Sequence, residues 1–469
     1  MSFTSIAFLP LLLISLVAYY VYTQKASIQN LVLLVTSLIF YGYGHIQYLA
    51  IWAGISSFTF LSGLFIQQSI GKKWLKAFIS IVSIVLFFLF IKYANMFSSI
   101  LGLHLSSSME AFQLLLPIGL SFYSFSCIGY LADVYNQRIL ACKQPLNWFA
   151  YSSFFPQLLS GPIAFADEQL PQFENPRKFN LQNMREAIPY LVWGLFKKVV
   201  ISSLLMKPVA YIFAQHENLH GITLLMGLFF YSIQIYADFS GYSDMAYGIA
   251  RMFGIELQMN FHMPYFSPNI KVYWRRWHAS LSKWFGRYVF APIGGSQGKI
   301  LFLIRNIMIV FAISGLWHGT DMKFVLWGVL NGLFYVAYIV YEKYKTSFST
   351  IKHNLVLNGF SLSLGGLLTF LAVMIARVYF RSSSIQEANQ YMLDMFNHDG
   401  IGYSIFGLKF LLPVFAFMLF EWLQRNQMYA LDFKPRQLVF KYTSYIVVLA
   451  CIVYAMQQPQ TTEHIYFKF

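Results

Sequence analysis

A polytopic, all-α membrane protein is the fold class this sequence predicts, and three observations predict it. Hydrophobic residues make up 58% of the 469 and charged residues 11%, well below the roughly one quarter that a soluble domain carries. Apolar runs of about 17–25 residues, the length a helix needs to cross a bilayer, recur along the whole chain. These runs lack the alternation of barrel strands, so their backbone polar groups have to be satisfied inside helices.

The segments, in order, are 6–22, 28–43, 48–66, 77–93, 111–131, 146–165, 187–213, 221–249, 301–317, 323–341, 357–379, 404–422 and 440–456. The first has no basic start and no small-residue cleavage site, and a second follows closely, so it is expected as a mature helix rather than a secretory signal. The segments 111–131 and 146–165 carry Pro117, Pro156 and Pro162. Proline frees backbone groups that only protein or a wet cavity can satisfy at membrane depth, so both are expected to be broken or re-entrant. The chain thus predicts eleven to thirteen membrane helices in one membrane-embedded domain over 1–469, without internal repeats.

The formal charge of +15 calls for no nucleic acid, because Lys and Arg collect in the cytoplasmic loops of membrane proteins. Anionic lipid and an anionic donor are the expected partners. Three loops are basic: Lys72, Lys73 and Lys76; Lys343, Lys345 and Lys352; and Arg425, Lys434, Arg436 and Lys441. Placing all three in the cytoplasm is consistent and puts both termini outside, with 94–110, 381–403 and the tail from Gln457. Cys127, Cys142 and Cys451 have neither metal spacing nor a paired framework, and no metal or bound cofactor is expected.

The polar stretch 251–300 begins and ends on the cytoplasmic side in this topology. Pro264 and Pro268 interrupt any helix, so a new one is expected from about residue 271. Trp274, Trp277, Leu281, Trp284 and Tyr288 form one stripe on it, while Arg276, Lys283 and Arg287 occupy other faces. That pattern suits an amphipathic helix at the membrane interface.

Three places carry groups that are costly in a membrane and so point to a cavity or a partner. His318 closes an apolar run, with Gly315 and Gly319 expected to leave room for a substrate and Trp317 to wall a slot. An imidazole there reads either as a proton-transfer group or as a helix-end histidine bonded to a carbonyl. His278 adjoins Arg275 and Arg276, whose planar forks suit phosphate oxygens, of a lipid headgroup or of a donor such as coenzyme A. Asp238 and Asp244 lie in or beside an apolar span and read as supporting ion-pair residues, with partners expected among the arginines or histidines. No phosphate-binding loop, nucleophile elbow or zinc-protease motif is present.

Several runs together resemble the membrane-bound O-acyltransferases, in particular their bacterial alginate O-acetyltransferase-like branch. They are Leu116-Pro117-Ile118-Gly119-Leu120-Ser121-Phe122-Tyr123 with Tyr130-Leu131-Ala132-Asp133-Val134-Tyr135, then Phe155-Pro156-Gln157-Leu158-Leu159-Ser160-Gly161-Pro162. Next come Asp238-Phe239-Ser240-Gly241-Tyr242-Ser243-Asp244-Met245 and Trp274-Arg275-Arg276-Trp277-His278 with Ser280-Leu281-Ser282. Gly315-Leu316-Trp317-His318-Gly319 and the closing Tyr466-Phe467-Lys468-Phe469 complete the set. The resemblance implies membrane helices around a central tunnel, with His318 and His278 as catalytic residues. It also implies acetyl-CoA as cytosolic donor substrate in the bacterial inner membrane, and a periplasmic SGNH-hydrolase-like partner that completes transfer to an envelope polysaccharide such as alginate, cellulose or peptidoglycan. On that reading Arg275, Arg276 and Trp317 bind the donor, while Asp238, Asp244 and Trp274 support the tunnel. Two other readings stand beside it: the same fold with a carrier-protein donor or lipid acceptor, and a transporter or flippase without covalent chemistry.

Overall fold

The computed structural model describes residues 1–21, 25–100, 117–348, 355–396, 406–425, 427, 431, 433 and 438–458. Lys352, Lys434, Arg436, Leu116, the last part of 381–403 and the run Tyr466–Phe469 lie outside the described residues, as do 101–110 and the start of segment 111–131. Among the described residues the chain is helical and forms no strand. Among the described residues eight helices are long and apolar enough to cross a membrane: Gln47–Gln67, Lys73–Tyr93, Leu181–Ala214, Gly221–Met252, Ile300–His318, Met322–Tyr344, Leu364–Arg381 and Val439–Gln457. Two shorter apolar helices precede them, Phe8–Val21 and Ala26–Gly42. The protein is a multi-pass membrane protein.

Contacts divide it into two compact units, Met1–Leu191 with Tyr242–Met259, and Val192–Gly241 with Asn260–Phe469. The first contains α1 (Phe8–Val21), α2 (Ala26–Gly42), α3 (Gln47–Gln67), α4 (Lys73–Ile100), α5 (Leu120–Tyr135), α6 (Pro145–Ser153), α7 (Phe155–Leu158) and α8 (Ala166–Gln169). Segment 146–165 is therefore no continuous span; it stops at Phe154 and restarts, as its prolines predict. Two of the family-like runs meet here. Gly119 has φ +87 and lies against the Leu158 carbonyl, so a side chain fits neither the backbone nor the space. Gln29 and Asn30, fully buried in apolar α2, dock the loop around Arg177: Gln29 Nε2 donates to the Arg177 carbonyl at 2.7 Å, and Arg177 Nη2 donates to Asn30 Oδ1 at 2.6 Å.

α9 (Leu181–Leu195) passes through a π-helical turn, Phe196–Ser202, into α10 (Ser203–Ala214), and α11 (Gly221–Met252) follows. In the second unit come α12 (Ile270–Arg276), α13 (Ala279–Phe285), α14 (Ile300–His318), α15 (Met322–Phe348), α16 (Leu355–Arg381), α17 (Ile385–Asp394), α18 (Phe406–Leu423) and α19 (Leu438–Gln457). α14 and α15 form an antiparallel pair at close range. A Cβ on Gly315 would strike the Phe324 carbonyl, one on Gly328 the Phe311 carbonyl, and one on Gly332 would come within 3.0 Å of Met308 Sδ. Gly328 and Gly332 are four apart, the small-residue spacing that lets membrane helices approach. Asp321 caps the start of α15, its carboxylate accepting from Lys323 N at 2.9 Å.

Candidate active site

The polar stretch before α14 does not form the single interfacial helix that its aromatic stripe suggests. α12 ends at Arg276, α13 begins at Ala279, and His278 between them has φ 45 and ψ 50. This left-handed conformation costs a non-glycine residue roughly 1–2 kcal/mol, so neighbouring contacts have to hold it. They come from Asn260, whose carbonyl accepts from Ala279 N at 2.9 Å. Its side-chain Oδ1 accepts from Ser280 Oγ at 2.9 Å and lies 3.1 Å from His278 Nδ1. Trp277, Leu281 and Trp284 are buried; the stripe faces protein rather than headgroups.

An amide oxygen accepts, so the Asn260 contact suits the His278 tautomer with its proton on Nδ1. His278 is buried against Phe239, ring centroids 4.7 Å apart, and burial pushes its pKa down to about 3. It is a neutral imidazole at physiological pH.

His318 is the last residue of α14 and is buried. Its ring meets Trp317, Trp327 and Phe380 edge-to-face, at centroid distances of 4.6, 4.9 and 5.2 Å. Trp317 also lies 6.1 Å from the His278 ring, so it packs between the two imidazoles rather than forming a wall of the cavity they share. Gly315 and Gly319 leave no room for substrate. The first accommodates the α15 backbone and the second the Phe324 ring.

Both histidines line one cavity of about 770 Å³, within the range of ligand sites. Leu303, Ile307, Val310, Phe311, Ser314 and His318 line it from α14, one face of that helix. At 1.5 Å per residue the cavity follows α14 for about 22 Å. Its buried end holds His318 and His278; its other end reaches exposed Ser296 and half-buried Glu342. Lys271, Arg275 and Lys283 also line it, against Glu342, which pairs with Lys271 at 2.8 Å. Trp274 lies on the wall. Arg276 faces elsewhere, beside His262, whose pKa is lowered by burial and by the Arg276 charge.

Asp238 does not line this cavity. Asp238 is buried and forms an ion pair with Lys198, on the π-helical turn. Its partner is thus neither an arginine of the basic cluster nor a histidine, because one turn of α11 faces the α9–α10 helix, as Gly241 does against Gly194 and Lys198. Asp244 is also buried and belongs to the first unit. Asn260, against His278, and Arg377, which lines a small chamber together with His318, belong to no motif noted in the sequence. Arg377 had a signal, a cation inside an apolar run; Asn260 had none in its local sequence.

A membrane-embedded cavity with a basic approach and two buried imidazoles at its end is suited to a transferase that handles an anionic donor. Residues 38–364 match the membrane-bound O-acyltransferase family, MBOAT, and the chain belongs to that family. It is an acyltransferase. It is 33% identical over 426 residues to a peptidoglycan O-acetyltransferase of Helicobacter pylori, covering 84% of this chain and 79% of that protein. Against the "Probable alginate O-acetylase AlgI" of Pseudomonas aeruginosa it is 33% identical over 406 residues, 85% of this chain and 75% of the other. A teichoic acid D-alanyltransferase of Bacillus subtilis is 27% identical over 257 residues, 50% of this chain and 62% of that one.

Proposed function

We propose that this protein moves an acetyl group from cytosolic acetyl-CoA through the bacterial inner membrane for O-acetylation of an envelope polysaccharide. The observation that carries this reading is the single cavity joining basic residues at one end to two buried histidines at the other. The relatives named for peptidoglycan and alginate acetylation support the acetyl group and a glycan acceptor. With the Lys343 loop in the cytoplasm and both termini outside, the donor enters near Glu342. Arg275, Lys271 and Lys283 take its phosphates by charge-assisted hydrogen bonds. The thioester then lies along the apolar wall of α14, where water is scarce and hydrolysis slow.

At the buried end His318 acts as general base. It takes the proton of the acceptor hydroxyl as that oxygen bonds to the thioester carbonyl carbon. The C–S bond then breaks, and the coenzyme A thiolate leaves with the proton that His318 held. The neutral His278, holding its Nδ1 proton toward Asn260, offers Nε2 to orient the acceptor hydroxyl. A periplasmic SGNH-hydrolase-like protein is the partner proposed to pass the acetyl group on to the glycan.

Purified protein with radiolabelled acetyl-CoA tests the reading. Release of coenzyme A is the expected result for the protein alone, with label on an alginate or peptidoglycan oligosaccharide once the SGNH-hydrolase-like partner is added. Neither transfer nor hydrolysis of acetyl-CoA would refute it. Label accepted only from an acyl carrier protein would favour the donor class of carrier-dependent acyltransferases instead. Label trapped on the protein in hydroxylamine-sensitive form would make His318 a covalent relay rather than a base.

A further inference from the structure

Arg377, on α16, is a buried cation of the second unit. Its side chain is 4% exposed. Nη2 donates to the Tyr273 hydroxyl at 2.7 Å, and the guanidinium lies 4.6 Å from the centre of the Trp277 ring and 5.2 Å from that of Tyr265. The other terminal nitrogen, Nη1, is buried without a hydrogen-bond partner, and no carboxylate forms an ion pair with Arg377 among the described residues. Aromatic faces offset part of the loss of water around a cation. A buried charge with an open donor still lacks its anion.

The space that Arg377 shares with His318 gives the anion a place. Arg377 and His318 line the same small chamber of about 20 Å³, walled by Ile235, Trp327, Val373 and Phe380. A space of that size takes one water or one small group of atoms. We propose that Arg377 is a catalytic residue that donates from Nη1 to the oxyanion formed during acyl transfer. This rests on the acyl-transfer reading above. As the acceptor oxygen bonds to the carbonyl carbon and its proton passes to His318, the carbonyl π pair moves onto oxygen, and Arg377 donates to that oxygen. The pair returns when the C–S bond breaks and the thiolate leaves with the proton from His318. The negative charge exists only between those two events, so a donor aimed there strengthens in the transition state more than in the ground state.

The test compares wild-type protein with Arg377→Met, using acetyl-CoA as donor, an alginate or peptidoglycan oligosaccharide as acceptor and the SGNH-hydrolase-like partner, with coenzyme A release as the readout. The expected result is a kcat lowered about 100-fold or more, with the KM for acetyl-CoA within about threefold, as for an interaction made only in the transition state. A folded Arg377→Met protein that keeps its kcat overturns the inference while leaving the acyl-transfer reading intact. Wild-type protein inert toward acetyl-CoA removes both. If Arg377→Met does not purify as a monodisperse protein, Tyr273→Phe decides, because it removes the hydroxyl that holds Nη2. A kcat about tenfold lower at unchanged KM supports the inference, and an unchanged kcat overturns it.

Discussion

At the scale of the residue, His318 and His278 are made different by their surroundings. His318 sits among three aromatic edges, at the end of a helix. His318→Gln keeps the size and hydrogen-bonding capacity but removes the proposed base. It is expected to lower kcat by about 10²–10⁴-fold without changing the elution profile, measured as coenzyme A release. His278, by contrast, is held neutral with a pKa of about 3. An unfolded histidine binds a proton below about 6.5, so the unfolded state takes up protons that the folded state refuses. Stability therefore falls as pH drops below 6.5 toward 3, and is fully present above 6.5. His278→Asn, which suits the left-handed conformation, should flatten that loss in thermal melts between pH 7 and 5. An equal slope in wild type and variant would count against the assignment. Arg275→Gln should raise the KM for acetyl-CoA by about three- to tenfold, less than a fully buried charged hydrogen bond because the side chain is exposed. Its kcat should stay near wild type.

At the scale of the element, the α14–α15 pair fixes where His318 stands. Gly315, Gly328 and Gly332 bring the two backbones together, and the Gly319 turn is closed by the Phe324 ring. Gly328→Leu forces side-chain atoms into the Phe311 backbone and should cost about 1–3 kcal/mol. It should appear as a lowered melting temperature in detergent, with loss of activity, whereas an unaltered melt would show that the contact is not needed. Helix periodicity makes such elements legible: the membrane class, the broken segment 146–165 and the two histidines all stand out in the residues themselves. The break at His278 does not. Its stripe of Trp274, Trp277, Leu281 and Trp284 fits a continuous helix, and what bends the chain is Asn260, eighteen positions upstream. The same limit applies to the two glycines beside His318 and to the Lys198 partner of Asp238. In each case a residue type is visible in the sequence, and its role depends on a distant segment folding against it.

At the scale of the whole molecule, the proposed placement of the basic loops gives transfer a direction. With Lys72 and Lys343 on the cytoplasmic side, Asp321, beside His318 in sequence, lies on the opposite side. Single cysteines at 72 and 343 should react with an impermeant reagent only in inverted vesicles, and one at 321 only in intact cells. The reverse labelling would turn the proposed route around. The most direct measurement is a sided one: inverted vesicles carrying the protein are given radiolabelled acetyl-CoA from outside, which is the cytoplasmic face. With the SGNH-hydrolase-like partner and an oligosaccharide acceptor enclosed in the lumen, wild-type vesicles are expected to release coenzyme A and gather acetyl label on the oligosaccharide, while His318→Gln vesicles do neither. Luminal acetylation by the His318→Gln protein at the wild-type rate would contradict it.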